Sequence, residues 1–164
     1  MDNHILESLL LSPPGRAVIN ALRRFIDADH YLLRVDANER SLTHRIAMYL
    51  QAELPDWDVD CEYNRDGHEP KELTLKGDEP DSWDTDAKTV YPDVIAHRRG
   101  TQNNYLVIEF KKASREGSDN DLIKLRAFKE QFGYQYALFV SLDTRPTRVG
   151  VAHVEWVTDG EHRR

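Results

Sequence analysis

Two apolar runs, residues 105–112 and 136–142, are separated by about 20 residues, and this spacing restricts the available folds more than any other feature of the chain. Each run reads as a strand. A gap of that length is too long for a hairpin turn and fits a strand–helix–strand crossover, which is right-handed and sets its strands parallel. Within the gap, Asp119 and Asp121 open a helix with an apolar stripe of Leu122, Leu125, Phe128 and Phe132, and Gly133 stops it.

The upstream pattern supplies the rest of a sheet. Residues 90–98 read as a strand, 99–104 as a turn, and 105–112 as the returning strand of a hairpin. Before them, Trp57, Val59, Cys61 and Tyr63 alternate with Asp58, Asp60, Glu62 and Asn64, which predicts a strand with one polar face. After Pro13-Pro14-Gly15, the positions Val18, Ala21, Leu22, Phe25 and Ile26 recur at helical spacing. A second helix is expected from residues 36–38 to about 54, with Leu42, Ile46, Tyr49, Leu50 and Leu54 on one stripe. Residues 65–88, rich in Gly, Pro, Asp, Glu and Lys, read as a long irregular excursion with a short strand around Leu73-Thr74-Leu75. A last strand is expected over 149–157. The order predicts an α/β chain: a mixed β-sheet flanked by helices.

Composition narrows the class. A length of 164 residues fits one domain, divided here into an N-terminal helical extension (1–35), a core (36–142) and a C-terminal strand and tail (143–164). The formal charge of −7 excludes a protein that coats DNA through net charge, but leaves room for a local basic groove. A lone cysteine, Cys61, excludes an intramolecular disulfide and a cysteine-rich zinc module. No apolar stretch reaches the length of a membrane span, and the acidic start of the chain is unlike a secretory signal, so a cytoplasmic protein is expected. Walker, GxGxxG and GxSxG motifs are all absent.

Chemistry concentrates in the predicted hairpin. Its first strand carries Tyr91-Pro92-Asp93-Val94-Ile95, and its second Leu106-Val107-Ile108-Glu109-Phe110-Lys111-Lys112. Alternation puts Glu109 and Lys111 on one face and Phe110 on the other, with Asp93 on the adjacent strand. Tyr105 and Val107 are expected to share the face of Glu109. Two close carboxylates repel each other and call for a cation, and hard oxygen ligands suit Mg2+ or Mn2+. Such an ion polarises a phosphodiester and acidifies a bound water. Lys111, beside two anions, keeps its proton and is expected to orient and neutralise rather than to act as a free base.

These residues resemble a known family. Pro92-Asp93 and, with fifteen residues between, Glu109-Phe110-Lys111 match the pattern of the PD-(D/E)xK nucleases, which include restriction endonucleases, Holliday-junction resolvases and RecB-like domains. The segments Asn38-Glu39-Arg40-Ser41-Leu42-Thr43-His44-Arg45 and Cys61-Glu62-Tyr63-Asn64-Arg65 are similar to small stand-alone bacterial members. The resemblance implies a restriction endonuclease-like αβββαβ core over residues 36–142, with an extra N-terminal helix ahead of it. It implies metal-dependent hydrolysis of nucleic acid, DNA being the favoured substrate, with Asp93 and Glu109 as metal carboxylates, the Phe110 carbonyl as an additional ligand and Lys111 as the catalytic lysine. Glu39 matches the glutamate that many members add from the first core helix.

Other readings stand beside these. Asp36-Ala37-Asn38-Glu39 also reads as a capping box, in which Glu39 only returns to its own helix start. Glu62 reads as part of a solvated acidic face with Asp58 and Asp60. Arg65, Lys71, Arg98, Arg99 and Lys112 are candidates for a phosphate-binding groove, against ordinary surface charge. His44 and His97 read as structural histidines, and Cys61 as a small core residue. One site cuts one strand, so duplex cleavage implies a homodimer. The alternative to an enzyme is a nucleic-acid-binding or protein-interaction module that keeps the fold without cutting.

Overall fold

The computed structural model describes residues 1–63, 65–66, 69–70, 72–73, 88–89, 91–113 and 119–158. Its centre is a five-stranded mixed sheet in which spatial order follows chain order. The strands are β1 (Asp58–Cys61), β2 (Val94–His97), β3 (Asn104–Lys112), β4 (Tyr136–Asp143) and β5 (Gly150–Trp156). β1, β2 and β3 form an antiparallel meander, and β3 and β4 are parallel, with Glu109 opposite Phe139 and Lys111 opposite Ser141. β5 returns antiparallel to β4. The crossover between β3 and β4 contains α4 (Asp119–Phe132), which ends at Gly133 with φ 66°. Positive φ there is the left-handed helix stop that a residue without Cβ adopts at least cost.

The sheet separates two cores. One face carries Val94, Ala96, Leu106, Ile108, Phe110, Leu138, Val140 and Leu142, and packs on α1 (Asn3–Leu9), α2 (Gly15–Arg34) and α3 (Glu39–Glu53). The other carries Ile95, Val107, Ala137 and Phe139, and packs on Leu125 and Phe128 of α4. At roughly 1.5–3 kcal/mol for each fully buried Leu, Ile or Phe, the three-helix side is the larger source of stability. The α4 side is thinner, and it is the side on which Glu109 sits.

Several local features depart from the sequence expectations. The helix α1 was not expected, because seven residues are too few to display a period. It forms because Asp2 accepts the Ile5 N–H at 2.9 Å, Ile5 and Leu9 are buried, and Trp156 Nε1 donates to the Ser8 carbonyl at 3.0 Å. Its end is pressed onto α2: a Cβ at Gly15 would meet the Leu9 carbonyl oxygen at 1.8 Å. Gly15→Ala is therefore expected to push α1 off its seat and to cost about 2 kcal/mol. A thermal melt reads this, and an unchanged melting temperature would show that the two helices do not meet so closely.

Of the strand expected over 90–98, the described residues form only Val94–His97, since Pro92 has no N–H to offer a ladder; Val90 lies outside the described residues, and Lys88–Thr89 pairs with Glu72–Leu73. Arg65–Asp66 pairs with Glu69–Pro70. Of the expected strand at 73–75, Thr74 and Leu75 lie outside the described residues. A register shift between Ala96 and His97 turns Tyr105 away from the face of Val107. It stacks on Trp57 with centroids 4.5 Å apart and joins the three-helix core.

β1 is an outer strand of the sheet, yet its central amide does not face solvent unpaired. Gln51 of α3 accepts the Val59 N–H at 2.9 Å and donates to the Trp57 carbonyl at 2.8 Å. Among the described residues, no helix is long and apolar enough to cross a membrane.

Candidate active site

Four elements bring ionisable side chains to one end of the sheet: the start of α3, the residue before β2, the end of β3 and the start of α4. Asp93 immediately precedes β2 and is tied to β3, because its Oδ2 accepts the Phe110 N–H at 2.7 Å. Glu109 points from β3 toward α4 and is only 2% exposed. There the Lys124 ammonium lies 2.8 Å from Glu109 Oε1. Lys111 stands between two further carboxylates, 3.8 Å from Glu39 Oε1 and 3.8 Å from Asp121 Oδ1. The second oxygen of Asp121 is buried and has no hydrogen-bond partner among the described residues. A cavity of about 330 Å3, lined by Asn38, Glu39, Arg40, Thr43, Glu62 and Asp93, opens beside the cluster.

Electrostatics follow from this crowding. Burial and the neighbouring Asp93 push the Glu109 carboxyl up to about 8, against the pull of Lys124 and Lys111. Burial also raises Asp93, with Glu39 adding to the effect, while the Phe110 N–H and Lys124 oppose it. For Lys111, burial alone would lower the pKa, but Asp121, Glu39, Asp93 and Glu109 together outweigh it and the ammonium is held more firmly protonated. A lysine in that state can orient and neutralise an anion but is a poor acceptor of a proton.

The site's chemistry suits a divalent cation. Four carboxylates (Asp93, Glu109, Glu39 and Asp121) face two ammonium groups (Lys111 and Lys124), a deficit of two positive charges when all are ionised. Among the described residues, no set of three or more His, Cys, Asp or Glu side chains is arranged to hold a metal ion. Mg2+ does not need one, because it is commonly held by one or two carboxylates and keeps water and substrate oxygens for the rest of its shell.

The expected residues divide into those brought together and those not. Asp93, Glu109, Lys111 and Glu39 come to one place. Asn38, not Asp36, caps α3 by accepting the Ser41 N–H at 2.9 Å, and Glu39 reaches toward Lys111 and lines the cavity with Asp93. Phe110 contributes its N–H to Asp93, while its ring is buried in the three-helix core. Lys112, on the opposite face from Lys111, is bonded to Asp36 at 2.8 Å. Arg98 and Arg99 lie just past the far end of β2, five and six residues from Asp93, or about 16 and about 20 Å at 3.3 Å per strand residue. There Arg98 lies over the Trp57 ring at 5.2 Å, and Arg99 donates to Asp60 at 2.8 Å. Arg65 has no described side chain, and Lys71 lies outside the described residues.

Asp60 differs from its expected solvated role: it is half-buried between Arg99 and His97, whose Nε2 is 2.8 Å away. Glu62 is exposed and bonded to Arg40 at 2.9 Å. Sequence reasoning missed Lys124 and Asp121. The signal was present, since Asp121 precedes Leu125 by four and Phe128 by seven, which places a carboxylate on the buried stripe and not merely at the helix start. Comparison with protein-family models, with curated proteins and with solved structures gives no match.

Proposed function

We propose that this chain hydrolyses phosphodiester bonds of nucleic acid, DNA in preference, with Mg2+ or Mn2+ held by Asp93 and Glu109, as a restriction endonuclease-like enzyme of the cytoplasm. The observation that carries this reading is the convergence of Asp93, Glu109 and Glu39 on one end of the sheet beside the Lys111 ammonium. The element order α3-β1-β2-β3-α4-β4 supports the family core, since it repeats the αβββαβ arrangement. Asp93, Glu109 and, through the cavity wall, Glu39 are the groups that would hold the ion. Bound there, it would polarise the phosphate and acidify the attacking water.

The chain's own residues have separate tasks. The Phe110 N–H fixes the rotation of the Asp93 carboxylate. Glu39 and Asp121 hold the Lys111 ammonium from two sides, where it can meet the negative charge that grows on a phosphate during attack. The shallow cavity along α3 is where a phosphate would approach. Cutting both strands of a duplex calls for two such sites, hence a homodimer.

A second reading is a nucleic-acid-binding or protein-interaction module that retains the fold without cutting. The Lys124–Glu109 contact favours it, because that ammonium already gives the buried carboxylate a counter-ion. Incubation with plasmid, single-stranded, branched and RNA substrates, with and without Mn2+, separates the two. The wild type should cut at least one DNA only when Mn2+ is present, and Lys111→Ala should cut it about a hundredfold more slowly. If no substrate is cut with Mn2+ present, the binding module is the better reading.

A further inference from the structure

We infer that Lys124 is the resident counter-ion of this site: its ammonium holds Glu109 in the ion-free protein and gives way when a divalent cation binds. The inference rests on the metal-site reading above and adds a competition that this reading does not require. Three observations carry it. Lys124 Nζ approaches Glu109 Oε1 to 2.8 Å, at the very carboxylate an ion would need. The oxygen belongs to a residue only 2% exposed, so this ammonium is the counter-charge in closest reach of it. A singly charged ammonium and a doubly charged ion satisfy the same field at this carboxylate, so the second can take the place of the first.

Glu109 is not the sole partner of Lys124. Its ammonium lies 3.3 Å from the Tyr91 carbonyl and 5.9 Å from the centre of the Phe128 ring, and its side chain is 22% exposed, so withdrawal leaves it partly solvated and not stranded. Lys111 differs: two carboxylates hold it at equal distance from opposite elements, and exchange at Glu109 leaves both of those contacts in place. The two lysines therefore have distinct functions. Lys111 stays, and Lys124 is displaced. Their shared location at one end of the sheet disguises this difference in a sequence.

Calorimetric titration of Mn2+ above pH 8, where Glu109 carries its charge, into the wild type, Lys124→Gln, Lys124→Arg and Asp93→Ala tests the exchange, with thermal melts at the same pH in a chelator and in Mn2+ as a second measurement. Lys124→Gln should bind Mn2+ about tenfold more tightly, equivalent to about 1.4 kcal/mol. Lys124→Arg, which keeps the charge, should stay near the wild type. In chelator Lys124→Gln should melt below the wild type, and Mn2+ should raise its melting temperature by the larger amount. Equal or weaker Mn2+ binding by Lys124→Gln, together with lost binding in Asp93→Ala, would overturn the counter-ion role while leaving the metal site intact. Absence of Mn2+ binding in the wild type and Lys124→Gln alike would overturn the metal site itself, and the exchange with it.

Discussion

Asp93→Asn is expected to lower the rate of Mn2+-dependent cutting about a thousandfold, the scale on which positioned charges act in catalysis, and to remove measurable Mn2+ binding. The substitution is nearly isosteric, and its amide oxygen can still accept the Phe110 N–H that now goes to Asp93 at 2.7 Å. What disappears is one negative charge. The loss of charge also relieves Glu109, whose carboxyl is pushed up by burial and then by Asp93, so the fold should not suffer. Cutting rates and Mn2+ titrations on a variant that melts at or above the wild-type temperature would isolate the effect of charge. Retention of wild-type cutting by Asp93→Asn would remove Asp93 from the chemistry.

The second large effect concerns stability and pH. In chelator, the wild type should lose stability steadily between about pH 4.5 and pH 8, whereas Glu109→Gln should lose much less. The sign follows from the proton balance. Glu109 has an ordinary value of 4.5 and is pushed up to about 8 in the fold. Between those values the folded chain keeps a proton that the unfolded chain has released, so a rise in pH favours unfolding, by up to about 1.4 kcal/mol per pH unit. Above pH 8 the loss is complete and the curve levels.

Facing Glu109 are Asp93 before β2, Lys111 on its own strand and Lys124 on α4; the two lysines limit the loss, and the smaller rise at Asp93 leaves a residual slope in the variant. On the acid side both proteins should weaken together, because Asp60 is held low by Arg99 and His97 against its burial, and it loses those partners only when protonated. Melting temperatures of the two proteins from pH 4 to 9 measure the difference. Parallel curves across that range would mean that Glu109 ionises normally.

Much of the architecture was legible because it depends on long-range pattern. The gap between residues 112 and 136 demanded a crossover, and the parallel pairing of β3 with β4 follows from it. The alternation around Glu109 and Lys111 placed both on the face that α4 covers. Details set by single contacts were not legible. Tyr105 changes face at a bulge that leaves no trace in the alternation, and α1 exists through its contacts with β5 and α2 rather than through its own periodicity. Lys124 escaped notice for a different reason: a lysine on a charged helix carries no sign of which partner it will meet across a sheet. Arg99 looked available for phosphate, and only the register of β1 against β2 reveals that Asp58 and Asp60 claim it.

The role of Gln51 limits how copies of this chain can join. An exposed flank with open amides invites another chain to zip onto it, whether to extend a sheet across two subunits or to seed aggregation. Here a side-chain amide from α3 occupies that flank and imitates the missing neighbour. A second subunit zipping onto β1 would have to displace Gln51 from the Val59 amide, which disfavours that flank as the seam of a pair built to sever both strands of a duplex.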